Sequence, residues 1–175
     1  MKTLKRILKN SSTVITPKIV DLLNYRIEQE EYSSRMYLAM SMYLNDKGYM
    51  GAAALWKKYS DEEMTHAHLA YDFLLDMGIQ PKVPALKAPP QDFDGLVDIL
   101  YQSYDHEIEV YNQCSELAKA AMSEGNLMLY PLALKLTAEQ QEELGKLQTW
   151  IDKVETFGQE PMLLRELDEE MGEAV

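Results

Sequence analysis

The amino-acid sequence predicts an all-α protein: a four-helix bundle with one long crossover and a short fifth helix at the C-terminal end. Four long segments place apolar residues three and four positions apart, a spacing typical of amphipathic helices. A proline-rich connection separates the second segment from the third, and a short periodic segment follows the fourth. With 175 residues, the chain is long enough for one domain with a buried core, assigned to residues 17–175.

The first two helices are predicted from their start and stop signals. Pro17 suits the first turn of a helix with Thr16 as N-cap, and residues 45–48 break the pattern. The second helix is expected over residues 50–77, ended by Gly78. The face of the first comprises Leu23, Ile27, Glu30, Ser34, Tyr37, Ser41 and Leu44. The face of the second comprises Leu55, Tyr59, Glu63, His66, Ala70, Phe73 and Met77.

The connection over residues 79–92 contains four prolines, which favour an extended chain over a helix. It is also longer than a tight turn between antiparallel helices requires. In a four-helix bundle, such a connection is expected to run along the length of the bundle.

The remaining helices follow from the same periodicity. The third is expected to start near Asp92 or Asp94 and to break at residues 123–126. The fourth should start between residues 126 and 131, because Pro131 disfavours an earlier start, and should end at Gly158. The fifth is predicted over residues 161–171. The third face comprises Leu96, Leu100, Ser103, Glu107, Val110, Cys114, Leu117 and Ala121. The fourth comprises Leu129, Leu132, Leu136, Gln140, Glu143, Leu147, Trp150 and Val154.

Composition and charge exclude several classes of function. The net charge of −12 argues against a nucleic-acid partner, which would need a basic face, and suits metal ions. A single cysteine, Cys114, excludes an intrachain disulfide and favours a reducing cytoplasm. No apolar run approaches the roughly 18 residues of a transmembrane helix, so no membrane partner is expected.

Residues 1–16 form a basic N-terminal extension, with Lys2, Lys5, Arg6 and Lys9 and no acidic residue. It lacks a continuous apolar core of signal-peptide length. A solvated tail is the simpler interpretation, and docking through its apolar positions is the alternative.

Polar side chains interrupt each of the four apolar faces near the middle of its helix. They are Glu30 in the first, Glu63 and His66 in the second, Glu107 in the third, and Gln140 and Glu143 in the fourth. Neighbouring antiparallel helices would bring these positions to similar depths in the bundle. A buried carboxylate without compensation costs several kcal/mol, so we expect these groups to be protonated or to bind divalent cations.

The spacing of these residues favours a metal site over protonated carboxyl groups. Glu63 and His66 are three residues apart and therefore share a helix face. Carboxylate oxygens with one imidazole suit iron or manganese, and few protein ligands leave coordination positions open for an oxidant. Paired Glu and Glu-x-x-His ligands are typical of di-metal helical bundles. Here the fourth helix carries Gln140 and Glu143 in place of a second Glu-x-x-His, so the two metal sites should differ in affinity.

Several residues near this set allow two interpretations. Glu62, Glu139 and Glu142 form either a solvated helix face or a third metal position. Tyr37 is either a core tyrosine or a phenol that serves the site.

Other polar residues are expected at the surface: His68, His106, Asp46, Glu124 and Asp168. The eleven methionines are interpreted as core residues rather than heme ligands, so no heme is expected.

The chain resembles the bacterial non-heme ferritins over residues 17–172. The matching stretches are EEYSSRMY at 30–37, GAAALWKKYSDEEMTHA at 51–67, YDHE at 104–107, AAM at 120–122 and EQQEE at 139–143. The resemblance implies a ferritin-like bundle that oxidises Fe(II) to Fe(III) with O2 or H2O2 and stores ferric mineral. It also implies a homo-oligomeric shell of 24 subunits.

The resemblance also implies roles for individual residues. The first iron site would comprise Glu30, Glu63 and His66. The second would comprise Glu63, Glu107 and Glu143, with Gln140 nearby and Glu63 bridging. A third iron site would use Glu62, Glu139, Glu142 and Glu143, and Tyr37 would lie beside the centre.

Three departures from related families narrow the resemblance. Bacterioferritins have a second Glu-x-x-His, which is absent here, and rubrerythrin-like proteins need more cysteines. The small DNA-binding ferritin-like proteins lack a fifth helix. Two alternatives to the ferroxidase remain: a metal-sequestering shell with little catalysis, and a di-metal oxygenase or oxidase on the same bundle.

Overall fold

A computed structural model describes residues 15–175, and the basic extension predicted for residues 1–16 lies largely outside this part. The described chain contains five helices. They are α1 (Pro17–Lys47), α2 (Met50–Asp76), α3 (Leu96–Ser123), α4 (Leu129–Phe157) and α5 (Pro161–Glu173). This confirms the predicted bundle with a long crossover and a short fifth helix.

Helix α1 begins at the predicted signals. The Thr16 side chain accepts a hydrogen bond from the Ile19 amide, and Pro17 occupies the first turn. Gly48 ends the helix with a φ of 88°, a left-handed conformation that favours glycine.

The connection between α2 and α3 is longer than predicted. Helix α2 ends at Asp76, and α3 begins only at Leu96 instead of near Asp92 or Asp94. The reason is Gly95, whose φ of 111° cannot belong to a right-handed helix. Phe93 is buried just before it and fixes the end of the crossover against the core.

Helix α4 accommodates Pro131 without a break. The helix starts at Leu129, so the proline occupies the first turn, where its missing N–H has no intrahelical partner to lose. The Asn126 side chain accepts hydrogen bonds from the Met128 and Leu129 amides and caps this end.

The four long helices pack as two pairs, α1 with α2 and α3 with α4, and α1 also contacts α3. Helix α5 packs on α2, where Gly51 and Gly172 approach closely. The prediction that Asp168 is a surface carboxylate is wrong: it is half-buried and accepts a hydrogen bond from the Ala52 amide at the start of α2. Asp46 and Glu124 are exposed, as expected.

The interior contains two apolar clusters. One includes Met40, Trp56 and Leu100, and the other includes Leu23, Leu74 and Leu117. The polar residues of the four helix faces belong to neither cluster. Within residues 15–175, no helix is both long and apolar enough to cross a membrane.

Candidate metal centre

The polar interruptions of the four helix faces lie inside the bundle. Glu30, Glu63, Glu107 and Gln140 are each 2% exposed and His66 is 9% exposed, while Glu143 is half-buried. Each comes from the middle of a long helix, as the sequence pattern predicts. Antiparallel packing therefore brings ligand-type side chains from four separate chain segments to one level.

These side chains form two groups with converging atoms. Potential ligand atoms of Glu30, Glu63 and His66 lie within 4.8 Å of one another, and so do those of Glu63, Glu107 and Glu143. Glu63 belongs to both groups. They are the only groups of three or more potential His, Cys, Asp or Glu ligands that converge in this way between residues 15 and 175.

Gln140 and the imidazole hold their neighbours at hydrogen-bond distance. His66 Nδ1 lies 3.3 Å from Glu63 Oε2, one helical turn away. Gln140 Nε2 donates to Glu143 Oε2 over 2.6 Å, across the corresponding turn of α4. The Gln140–Glu143 pair occupies the place where a symmetric di-metal bundle would have its second Glu-x-x-His.

Several acceptors at this centre lack a donor. The buried oxygens Glu30 Oε2, Glu107 Oε2, Glu139 Oε2 and Gln140 Oε1 have no hydrogen-bond partner among the described residues. Buried polar groups are normally satisfied, so orphaned oxygens clustered in one place need an explanation. Bound cations would satisfy them, and the oxygen-rich donor set suits a hard or borderline divalent metal.

The carboxyl groups of the second group keep their protons at pH values well above the ordinary range for glutamate. Burial raises the pKa of Glu107 to about 7, and burial together with the charge of Glu107 raises the pKa of Glu143 to about 9. Burial, with Glu30 and Glu107 nearby, raises the pKa of Glu63 well above its usual value. Divalent ions would therefore displace protons from these groups.

Glu30 is the exception because a cation lies beside it. Burial alone would raise the pKa of this carboxyl, but the charge of Arg26 lowers it below its ordinary value. Arg26 is 1% exposed and lies one turn before Glu30 on α1. Arg26 is not among the residues that the sequence pattern predicts for this centre, and its only signal there is the spacing of four residues from Glu30.

Tyr37 lies against the second group. Its hydroxyl donates a hydrogen bond to Glu107 Oε1, and burial, with the charge of Glu107, raises the pKa of the phenol well above 10. Tyr37, Tyr59 and Leu147 line a small cavity with Glu63, Glu107 and Glu143. Tyr37 is therefore positioned as a neutral hydrogen-bond donor to a candidate ligand.

The three flanking glutamates line a cleft at the edge of the centre. Glu62 and Glu139 are half-buried, Glu142 is exposed, and His66, Glu143 and Lys146 complete the lining. Glu139 Oε2 lies 3.8 Å from His66 Nε2. The oxygens of Glu62, Glu139 and Glu142 do not converge as closely as those of the two buried groups.

The two remaining histidines differ in their exposure to solvent. His68 is exposed, as predicted. The expectation that His106 lies at the surface is wrong: it is half-buried, with Nε2 2.7 Å from the Ser33 hydroxyl. Burial, with the nearby charge of Arg26, lowers the pKa of His106 to about 4, so its ring is neutral.

A four-helix bundle with inward-facing glutamates and one imidazole has the arrangement of the di-metal carboxylate bundles. The comparison with family models narrows this class. The model of the ferritin-like domain matches residues 20–157, and the chain therefore belongs to the ferritin-like family.

Individual relatives agree with this assignment. The bacterial non-heme ferritin of Escherichia coli O157:H7 is 29% identical over 158 residues, which cover 90% of this chain and 96% of that protein. The bacterial non-heme ferritin of Bacteroides fragilis YCH46 is 29% identical over 145 residues, covering 83% and 91%. Among solved structures, an open pore ferritin from the archaeon Archaeoglobus fulgidus superimposes with a TM-score of 0.87. That structure shares 30% identity, with 90% of this chain and 97% of that chain covered.

Proposed function

We propose that this protein stores and detoxifies iron, and that it is a ferroxidase that oxidises Fe(II) to Fe(III) with O2 or H2O2. The single observation that carries the proposal is that Glu63 is shared by two converging ligand groups. A shared carboxylate holds two metal ions close enough to react together with one oxidant. The relatives named bacterial non-heme ferritin support iron as the metal.

In this proposal, iron is the substrate. One Fe(II) is held by Glu30, Glu63 and His66, and the other by Glu63, Glu107 and Glu143, with Gln140 orienting Glu143. Each Fe(II) loses one electron. The oxidant accepts both electrons, and with two protons O2 becomes H2O2 or H2O2 becomes two waters.

The protein residues supply ligands, charge and proton balance. Glu63, Glu107 and Glu143 give up protons when Fe(II) binds, because their pKa values in the empty centre are raised. Tyr37 holds Glu107 in place through its hydroxyl. Only one imidazole serves the centre, so ferric product is released to the mineral rather than retained as a permanent cofactor.

Glu62, Glu139, Glu142 and Glu143 are proposed as a third iron position at the edge of the centre. Their cleft shares His66 and Glu143 with the two buried groups, which supports its use as the exit for oxidised iron.

We further propose that copies of the chain assemble in the cytoplasm as a closed homo-oligomeric shell, with 24 subunits as the resemblance implies. Exposed apolar side chains on α1, including Leu38 and Met42, are available for contacts between copies.

Aerobic addition of Fe(II) to the purified protein tests the function. The initial rate of ferric absorbance should fall at least about tenfold in Glu63→Gln, because both ligand groups lose a charged ligand. Glu109→Gln, an exposed glutamate on α3, is the matched control and should retain the rate.

Equal rates in the wild type and Glu63→Gln would contradict the ferroxidase. Metal uptake without faster oxidation would favour the sequestering alternative. Light scattering on the same samples tests the shell, and a monomer or dimer would contradict that part of the proposal alone.

A further inference from the structure

A buried arginine contacts the candidate centre from the side of α1. Arg26 Nε donates to Glu30 Oε1 over 2.9 Å, and Arg26 Nη2 lies 2.5 Å from the same oxygen. Arg26 Nη1 donates to Gln113 Oε1 on α3 over 2.5 Å. The guanidinium is therefore fixed between two helices, with its charge directed at one candidate ligand.

This contact divides the two oxygens of Glu30 between different partners. Oε1 is engaged by the guanidinium, while Oε2 has no hydrogen-bond partner among the described residues. A guanidinium stays charged at every accessible pH, so its attraction for the carboxylate is permanent. A metal ion at the first ligand group must share Glu30 with this fixed cation.

We propose that Arg26 is an internal counter-ion: it neutralises Glu30 while the centre is empty and competes with a divalent metal ion for that carboxylate. This inference rests on the proposed metal centre and adds a residue that tunes it. Arg26 is a positioning residue, since it acts on the metal through Glu30.

The net charge of the metal-bound centre shows how Arg26 would affect metal affinity. Two divalent ions and the ionised Glu30, Glu63, Glu107 and Glu143 sum to neutral charge without Arg26 and to one positive charge with it. Like charges at short range in a protein interior repel strongly. Arg26 therefore weakens metal binding, and it acts more strongly against trivalent ions, which favours release of oxidised iron.

Cobalt(II) titration without iron or oxidant tests the inference through binding alone. The background is Glu143→Ala, which removes one ligand of the second group and leaves Glu30, Glu63 and His66 intact. In that background Arg26→Gln should bind Co(II) at least about tenfold more tightly, because the competing charge is gone. Arg26→Lys keeps the charge and should stay closer to the parent than Arg26→Gln does.

Arg35→Gln is the matched control, because Arg35 is an exposed arginine on the same helix, and it should leave Co(II) affinity unchanged. Equal affinity in Arg26→Gln and its parent would overturn the role of Arg26 while leaving the metal centre standing. Absence of Co(II) binding in the wild type and in Glu143→Ala, with or without Arg26→Gln, would overturn the metal centre as well.

The folding of Arg26→Gln provides a second test. Without the guanidinium, buried Glu30 must either take up a proton, which costs more as the pH rises, or bind a cation. The test is therefore made at pH 8. Stability of this variant should therefore depend on Co(II) more steeply than that of the wild type. If the variant folds only with Co(II), the inference is supported. If Co(II) stabilises the variant no more than it stabilises the wild type, or if the variant stays unfolded with excess Co(II), the inference is overturned.

Discussion

Glu63 connects the two ligand groups, and its environment illustrates how the centre is held without metal. It is buried beside Glu30 and Glu107, and its pKa is raised well above the ordinary range. Glu30 is instead kept ionised by Arg26. When no metal is bound, protons on some carboxyl groups and a guanidinium on another compensate the buried charge in place of bound cations.

The raised pKa values predict that stability of the metal-free protein falls as the pH rises. Glutamates in the unfolded chain lose their protons near the ordinary pKa, whereas folded Glu107 and Glu143 keep them up to about 7 and about 9. Between the ordinary pKa and these raised values, the folded state binds more protons than the unfolded chain. The resulting stabilisation is lost as the pH rises through the folded pKa values. With a chelator present, the melting temperature should decrease from about pH 6 to about pH 9.

Glu143→Gln is the diagnostic variant for this pH dependence, because its amide cannot ionise. It should flatten the upper part of the curve, whereas Glu109→Gln should follow the wild type. A melting temperature that rises over the same interval would contradict the protonated state of the centre.

At the residue scale, the sequence identified the carboxylates but missed the groups that compensate them. Glu30, Glu63, Glu107 and Glu143 interrupt apolar faces, and any polar residue at a core position stands out in that pattern. Arg26 does not, because an arginine four residues from a glutamate is usually a solvent-exposed pair. Only packing against Gln113 of α3 shows that it is buried, and no single-segment pattern contains that contact.

At the scale of elements, α5 is attached to the bundle through a close glycine contact with α2. A Cβ added at Gly51 would lie 1.9 Å from the Asp168 carbonyl oxygen and 2.8 Å from the Gly172 amide nitrogen. Both are backbone atoms, which cannot move aside as a side-chain end could. The same region carries the hydrogen bond from the Ala52 amide to Asp168.

Gly51→Ala should therefore displace α5 and destabilise the protein by about 1–3 kcal/mol. A shift of the urea unfolding midpoint to lower concentration measures the effect. Gly145→Ala in α4 is the matched control, since nothing lies within 4 Å of its added Cβ. It should stabilise by about 0.5–1 kcal/mol, because alanine is the better helix former. Equal midpoints for Gly51→Ala and the wild type would show that the contact is not tight.

Helix positions were predictable where local chemistry decides them. The Thr16 cap and Pro17 fix the start of α1 from within a few residues. The start of α3 was placed too early, because the left-handed conformation of Gly95 and the burial of Phe93 depend on how the crossover meets the core. His106 was placed at the surface for a similar reason: Ser33 on α1 covers it, and periodicity within α3 cannot show that.

At the scale of the whole molecule, the bundle buries polar and charged side chains, which are costly to desolvate, between two apolar clusters. The clusters supply the burial that stabilises folding, and the polar set lies between them on all four long helices. Such a costly interior is retained only if the groups have a use. The ferritin-like family assignment and the converging ligands together point to iron as that use.

We propose that two metal ions bind inside each copy of the chain and share Glu63. The most direct test of this proposal is anomalous diffraction from crystals soaked anaerobically with Fe(II). We expect two peaks in the bundle, one contacted by Glu30, Glu63 and His66 and the other by Glu63, Glu107 and Glu143. Peaks confined to surface carboxylates, with none at Glu63, would contradict it.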